Sequence, residues 1–404
     1  MNCRFCKTEL SDIFVDLVNS PASNSYLTKA ELDVPEVFYP LKIFVCKECK
    51  LVQIDEYKKS DDIFDKDYAY FSSYSTSWLS HAKSYVEYMT NKLSLNKDSL
   101  VTEIASNDGY LLQYFKEINV PCIGIEPTSS TAKVAKEKGI NVIEDFFGSK
   151  LAFTLEKSDL ILGNNVLAHV PDINDFVKGL KIALKEKGTV TMEFPHLLNI
   201  INENQFDTIY HEHFSYLSFY TVQKIFEAQG LKLYDVEMIS THGGSLRIFA
   251  THSENDNIDL SNNVQNILDQ EKEFGLFDMD IYKGFQEKAN KVKYDLIKFL
   301  IKAKNENKKV IAYGAAAKGN TLLNYAGIKN DLIEFVVDKS PHKQNKYLPA
   351  SHIPVINELE IMEYKPDYIL ILPWNIKDEI IKQLGYVKEW ECKFLVAVPT
   401  LVII

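Results

Sequence analysis

From about residue 76 the hydrophobic positions alternate between two periods. SWLSHAKSYVEYMTNKL carries apolar residues at helical spacing. SLVTEIASNDGYLLQYFKE then reads as strand, turn and helix, and CIGIEP as a short apolar strand ending in Glu126-Pro127. DLILGNNVLAHVPDINDFVKGLKIAL predicts a further strand, a loop and a helix, and GTVTMEFPH a strand ending at Glu193. This βα alternation predicts an α/β chain with a mostly parallel sheet. A polar helical stretch, SENDNIDLSNNVQNILDQEKEF onward, reads as a solvated linker over about 254–300. Beyond it, Lys309–Tyr313, Phe335–Asp338 and Tyr368–Leu372 predict strands of a second α/β unit.

Length and composition narrow the class. The 404 residues suffice for two or three domains, and 46% hydrophobic with 25% charged residues is ordinary for a globular protein. A net charge of −11 argues against nucleic acid as a partner. No apolar run approaches the roughly 20 residues of a membrane span. The opening MNCRFCKTEL is polar, which predicts a cytoplasmic protein without a secretory signal. In a reducing compartment clustered cysteines point to metal rather than to disulfides. Cys3/Cys6 and Cys46/Cys49 are two Cys-x-x-Cys pairs, the spacing of a structural zinc knuckle whose four thiolates leave no open coordination position. Cys122 and Cys392 lie in apolar, strand-like contexts and read as core residues.

In doubly wound folds ligands sit outside the carboxyl ends of the strands. That places the turn Glu103-Ile-Ala-Ser106-Asn107-Asp108-Gly109-Tyr110 at a ligand, with Gly109 allowing close backbone approach and Glu126 at ribose hydroxyls. The turn lacks G-x-G-x-x-G, so S-adenosyl-L-methionine fits better than a dinucleotide. Asn164, Asn165 and His169 follow the next strand. The densest cluster of titratable side chains is Tyr210-His-Glu212-His213-Phe-Ser-Tyr216. Histidine is a general base near neutral pH, and a tyrosine hydroxyl stabilises an oxyanion. His-Glu-His lacks the spacing of metalloprotease zinc ligands. His242-Gly-Gly-Ser245-Leu-Arg247 reads as a polar turn lining the same cleft. Gly314-Ala-Ala-Ala-Lys318-Gly-Asn320, between strand and helix, reads as an anion site, with Asp338 and the Pro373–Asn375 strand end on the same edge.

These strings resemble the S-adenosylmethionine-dependent C-methyltransferases that act at C-3 of nucleotide-linked 4-keto-deoxysugars. The resemblance runs from end to end. It rests on the cysteine pairs, Tyr68-Ala-Tyr70-Phe-Ser-Ser73-Tyr-Ser, Glu103–Tyr110, Asn165-Val-Leu-Ala-His169-Val-Pro-Asp, Tyr210–Tyr216, Tyr313–Asn320 and Val337–Lys343. It implies three parts: a zinc module (1–75), a Rossmann-like methyltransferase domain (76–255) and a C-terminal Rossmann-like domain (256–404) that shares the nucleotide sugar. It implies His213 as the base at C-3, Tyr210 beside the C-4 oxygen, and supporting roles for Glu212, His169 and Tyr70. Tyr70, Ser73, Glu103, Ser106, Asn107, Gly109, Glu126, Pro127, Asn164 and Asn165 are expected at the cofactor. His242, Ser245, Arg247, Lys318, Asn320 and Asp338 are expected at a dTDP-, GDP- or CDP-linked sugar. The expected assembly is a monomer or weak homo-oligomer. Ala105 stands where many members of the family have glycine; Asn345 and Ala350 stand where the family usually has glycine, and that second departure places substrate identity, but not methyl transfer, in question. The alternatives are methylation of another carbon or heteroatom of a phosphorylated metabolite, and a non-catalytic zinc-containing binding protein.

Overall fold

A computed structural model describes residues 1–59 and 71–404. The positions Tyr68 and Tyr70 lie outside the described residues. Three sheets organise the described residues. The central sheet runs Leu231–Ile239, Ser245–His252, Leu184–Pro195, Ser158–Asn164, Val101–Ile104, Cys122–Ile125, Asn141–Ile143. Its five strands from Leu184–Pro195 to Asn141–Ile143 are parallel, while Ser245–His252 runs antiparallel to both its neighbours. The parallel strands are largely buried on both faces because helices cover both. The connection reverses between Val101–Ile104 and Ser158–Asn164, which opens a crevice at their carboxyl ends.

The C-terminal sheet repeats the scheme. Its parallel strands run Pro354–Ile356, Val336–Val337, Val310–Tyr313, Tyr368–Ile371, Lys393–Val396, with a short antiparallel strand on each edge. The crevice of this sheet lies between Val310–Tyr313 and Tyr368–Ile371. The mixed α/β class and the two Rossmann-like sheets agree with the pattern read from the sequence.

Elements cross the linear divisions at 75/76 and 255/256. The N-terminal sheet of Asp12–Ser20, Tyr39–Val45 and Val52–Ile54 takes its fourth strand, Ser215–Tyr216, from the segment that carries His213. Phe14 of this sheet stacks on Phe285 at 4.5 Å, so its core is continuous with that of the C-terminal unit. The expected solvated linker is instead two packed helices, Asn262–Phe274 and Phe285–Asn305. The first buries Val264 and Ile267 against the central sheet's core. Its fully buried Glu271 accepts from His196 Nε2 at 2.6 Å and from the main-chain N–H of Tyr220 at 2.9 Å. A polar composition concealed a narrow apolar stripe, because the opposite face is in water. No helix among the described residues is long and apolar enough to cross a membrane.

Candidate active site

One cavity of about 810 Å³ joins the two crevices. Its methyltransferase end is built by the first turn. Asn107 stands at φ 49° and lines the wall. Its main-chain N–H donates to Glu126 Oε2 at 2.9 Å, and its Oδ1 accepts from the Ser72 N–H at 2.9 Å. Glu126 Oε1 accepts from the Thr128 N–H at 2.9 Å, which fixes the carboxyl plane at the strand end. Burial pushes the Glu126 carboxyl above its ordinary range. Pro127, Asn164 and Asn165 complete this part of the wall. Both side-chain polar atoms of Asn164 and the Oδ1 of Asn165 are buried without a hydrogen-bond partner among the described residues. Buried polar atoms in native folds are normally satisfied, so these fit a polar ligand.

Several residues expected at the cofactor stand behind that wall. Gly109, at φ +74°, turns its missing Cβ toward the Ile140 side chain at 2.3 Å, so its smallness serves packing of the turn. Ser106 is fully buried and fills the space over Gly124, whose absent Cβ would meet Ser106 Oγ at 2.4 Å. Glu103 is fully buried beneath the turn, its carboxyl held well above the usual range by burial and by the nearby Asp108 and Glu126. Ser73 is off the wall too, holding Lys138 Nζ at 2.9 Å. The sequence missed Trp78, Phe146, Phe147 and Asp145, which do line the cleft. Trp78 was hidden inside a helix pattern, and Asp145-Phe-Phe follows a strand of only three residues.

The middle of the cleft holds the histidine cluster. His213 Nδ1 lies 2.8 Å from the Thr208 carbonyl. A carbonyl only accepts, so Nδ1 carries the proton and Nε2 presents a lone pair. The Tyr210 ring lies 4.1 Å and the His169 ring 4.6 Å from the His213 ring, centroid to centroid. Burial first, with Lys318 and, once they are protonated, His169 and His242 opposing a further charge, holds His213 well below its ordinary pKa. Burial likewise lowers His169 to about 4, partly countered by a bond to the Glu212 main chain. Glu212 Oε1 accepts from Asn24 Nδ2 at 2.7 Å. His242 lines the wall at φ 56°, edge-on to Trp78 at 5.0 Å, with its pKa lowered by burial to about 4.

At the C-terminal end stand Ala316, Ala317, Lys318 and Lys343. Lys318 Nζ donates to Asn375 Oδ1 at 2.9 Å and lies 4.5 Å over the Trp374 ring. Burial lowers its pKa, and Asp207 pulls it back up. Lys343 Nζ donates to the Ala315 carbonyl at 2.7 Å. Lysines beside the start of the helix Ala317–Ala326 suit a phosphorylated ligand.

Four expected substrate residues are absent from the wall. Ser245 and Arg247 belong to a strand, not to the turn, and strand register decides their partners. Arg247 faces Glu193 on one side and Glu237 on the other. Its Nε donates to Glu193 Oε1 at 2.7 Å and its Nη1 to Glu237 Oε2 at 3.0 Å. Ser245 Oγ donates to the Thr241 carbonyl at 3.0 Å. Asn320 Nδ2 donates to the Ser23 carbonyl at 2.6 Å, beneath the helix start. Asp338 accepts from the main-chain N–H of Ala315 at 2.7 Å and of Ser340 at 2.8 Å, so it shapes the anion turn from behind.

The four cysteines converge on one point. All four Sγ atoms lie within 4.8 Å of one another, with Cys3–Cys49 and Cys6–Cys46 at 3.5 Å and Cys6–Cys49 at 3.6 Å. Sulfurs around a tetrahedral zinc with bonds of about 2.3 Å stand about 3.8 Å apart, so the donor set and its spacing fit structural zinc.

The departures from glycine have a common geometry. Ala105, Asn345 and Ala350 all adopt left-handed backbone, at φ 57°, 63° and 60°. Glycine is favoured there for conformation, and neither Asn345 nor Ala350 lines the cleft.

Fold and site together define a methyltransferase of the α/β class. A methyltransferase domain model matches residues 78–236, a zinc binding domain model residues 3–64, and a model described as C-methyltransferase C-terminal domain residues 240–399. The C-methyltransferase NovU of Streptomyces niveus is 30% identical over 404 residues, which cover 98% of this chain and 95% of that protein. The chain belongs to the S-adenosylmethionine-dependent C-methyltransferase family. Among solved structures, magnesium protoporphyrin IX methyltransferase from Synechocystis PCC 6803 with bound SAM is 16% identical, at a TM-score of 0.34 over 43% of this chain and 79% of that one. The CcbJ methyltransferase from Streptomyces caelestis is 10% identical, at 0.36 over 43% and 89%.

Proposed function

We propose that the protein transfers a methyl group to C-3 of a nucleotide-linked 4-keto-6-deoxysugar, in the cytoplasm, where reduced thiols keep a four-cysteine site intact. The observation that carries this reading is the Nδ1 bond of His213 to Thr208. It leaves Nε2 unprotonated in the cleft, between the Asn107–Glu126 turn and the two lysines. A base there suits a carbon acid. A ketone acidifies its neighbouring C–H, and Nε2 takes that proton as the electron pair moves onto the ketone oxygen. Tyr210, packed on the His213 ring, is assigned to the developing oxyanion. S-adenosylmethionine, when bound, supplies an electrophilic methyl group on sulfonium. Asn107, Glu126, Pro127, Asn164 and Asn165 are assigned to holding it, and Asp145 and Phe146 extend that wall. Lys318 and Lys343 are assigned to the diphosphate, and His242, His169 and Glu212 to orienting the sugar. NovU, a C-methyltransferase by name, supports carbon as the acceptor atom.

The test uses isotopically labelled S-adenosylmethionine and a panel of dTDP-, GDP- and CDP-linked 4-keto-6-deoxysugars, with products read by mass spectrometry. Label on C-3 is expected. Label on a hydroxyl, or none leaving the cofactor, overturns the reading. Solvent deuterium should exchange at C-3 with wild type and not with His213→Asn.

A further inference from the structure

The cysteine knuckle touches the two loops that carry the active-site histidines. Arg4 sits between the ligands Cys3 and Cys6. Its main-chain N–H donates to Gln53 Oε1 at 2.8 Å, and Gln53 Nε2 donates to Cys3 Sγ at 3.2 Å. The side chain leaves the knuckle toward the cleft. One guanidinium nitrogen donates to the Pro171 carbonyl at 2.6 Å and the other to the Ile54 carbonyl. The guanidinium carbon lies 5.4 Å above the Phe214 ring. Pro171 lines the cleft two residues after His169, and Phe214 directly follows His213. Asn174, at the start of the helix after Pro171, clasps the knuckle in return, its Nδ2 donating to the carbonyl of Phe5 at 2.9 Å.

His169 and His213 come from loops more than forty residues apart, yet their rings meet edge to face. Arg4 touches both loops. Taking a guanidinium out of water is costly, and a straight apolar chain would fill the same space. What the guanidinium adds is a planar fork that holds two carbonyls at fixed directions while stacking on a ring. Metal ligation on either side of Arg4 fixes the point from which that fork extends.

We propose that Arg4 is a positioning residue that carries the rigid geometry of the metal knuckle to His169 and His213 by clamping Pro171 and Phe214. Its effect on turnover rests on the reading of His213 as the base. Its effect on ring geometry does not.

The experiment compares wild type with Arg4→Met and Arg4→Lys, each with zinc content, cofactor affinity by calorimetry, steady-state kinetics, and NMR of ¹⁵N-histidine-labelled protein. Arg4→Met is expected to keep one zinc per chain and a cofactor Kd within about twofold. Its His169 and His213 ring resonances shift, and kcat and C-3 deuterium exchange fall about tenfold or more, because small misplacements of a catalytic group are that expensive. Arg4→Lys, with one point charge in place of a fork, falls between. Unchanged resonances and kcat in Arg4→Met overturn the proposal. So does a loss that added zinc restores, since Arg4 then serves metal binding alone. If Arg4→Met does not fold, Arg4→Lys decides: reduced kcat at full zinc supports the clamp, and wild-type kcat overturns it. If His213→Asn retains C-3 exchange, the base assignment fails by itself, because the resonances still report on Arg4.

Discussion

The Nδ1 of His213 is tied to the carbonyl of Thr208 at 2.8 Å. Thr208 ends the turn Phe206–Thr208, and His213 lies in the irregular segment that leads from it to the strand Ser215–Tyr216. A five-residue excursion thus closes on itself and fixes the tautomer of the ring.

Protonation of that ring has a defined pH signature. Burial first, then the neighbouring His169, holds His213 well below its ordinary value of 6.5, so the neutral base persists as pH falls through 6.5. The acid limb of kcat/KM is expected below pH 6.5. Lys318→Met removes a charge that opposes protonation of the ring, and the limb moves to higher pH. Profiles of kcat/KM from pH 4.5 to 8 decide this, and a limb that stays in place refutes the coupling.

The left-handed positions give a stability test. Ala105 and Ala350 hold φ 57° and 60°, where a Cβ costs roughly 1 kcal/mol. Ala105→Gly and Ala350→Gly should each stabilise the protein by about 0.5–1 kcal/mol, while Asn345→Gly changes little because asparagine tolerates this conformation. Gly109→Ala goes the other way, since its Cβ would stand 2.3 Å from Ile140 Cδ1 on backbone at φ +74°. Urea denaturation measures all four.

Arg247 is expected to matter for stability and not for substrate affinity. Burial works against the Glu193 carboxylate, but His81 and Arg247 hold its pKa below the ordinary value. Arg247→Met strands that buried charge beside His81 alone and should cost about 3–5 kcal/mol. KM for the sugar nucleotide should stay within about twofold, measured at a temperature where the variant is fully folded.

The two cleft lysines should behave in the opposite way to Arg247. Lys318→Met and Lys343→Met are expected to raise KM for the sugar nucleotide by about tenfold or more, as loss of a charge-assisted bond does, with kcat changed less than about threefold. Thermal midpoints near wild type would separate this from misfolding. An unchanged KM in both variants removes the diphosphate assignment.

Much of this was legible along the chain because it is local. Two Cys-x-x-Cys pairs announce a tetrahedral site, since each pair fixes two ligands within one turn. The strand-turn-helix-strand run from Glu103 to Glu126 places an acid at the crevice, since strand ends in a parallel sheet share one edge. Tyr210–Tyr216 concentrates an acid-base cluster in seven residues. What the sequence could not report is which side of a turn faces the ligand. Gly109 and Ser106 belong to the right turn, yet their surroundings are Ile140 and Gly124, residues brought there by the packing of helix and strand. Arg247 reads as a cleft cation until the register sets it opposite Glu193 and Glu237, because only pairing across strands decides where a charge finds its partner. The bridge from the cysteine knuckle through Arg4 to Pro171 and Phe214 spans segments remote in sequence, so it came into being only when three sheets closed on one cleft.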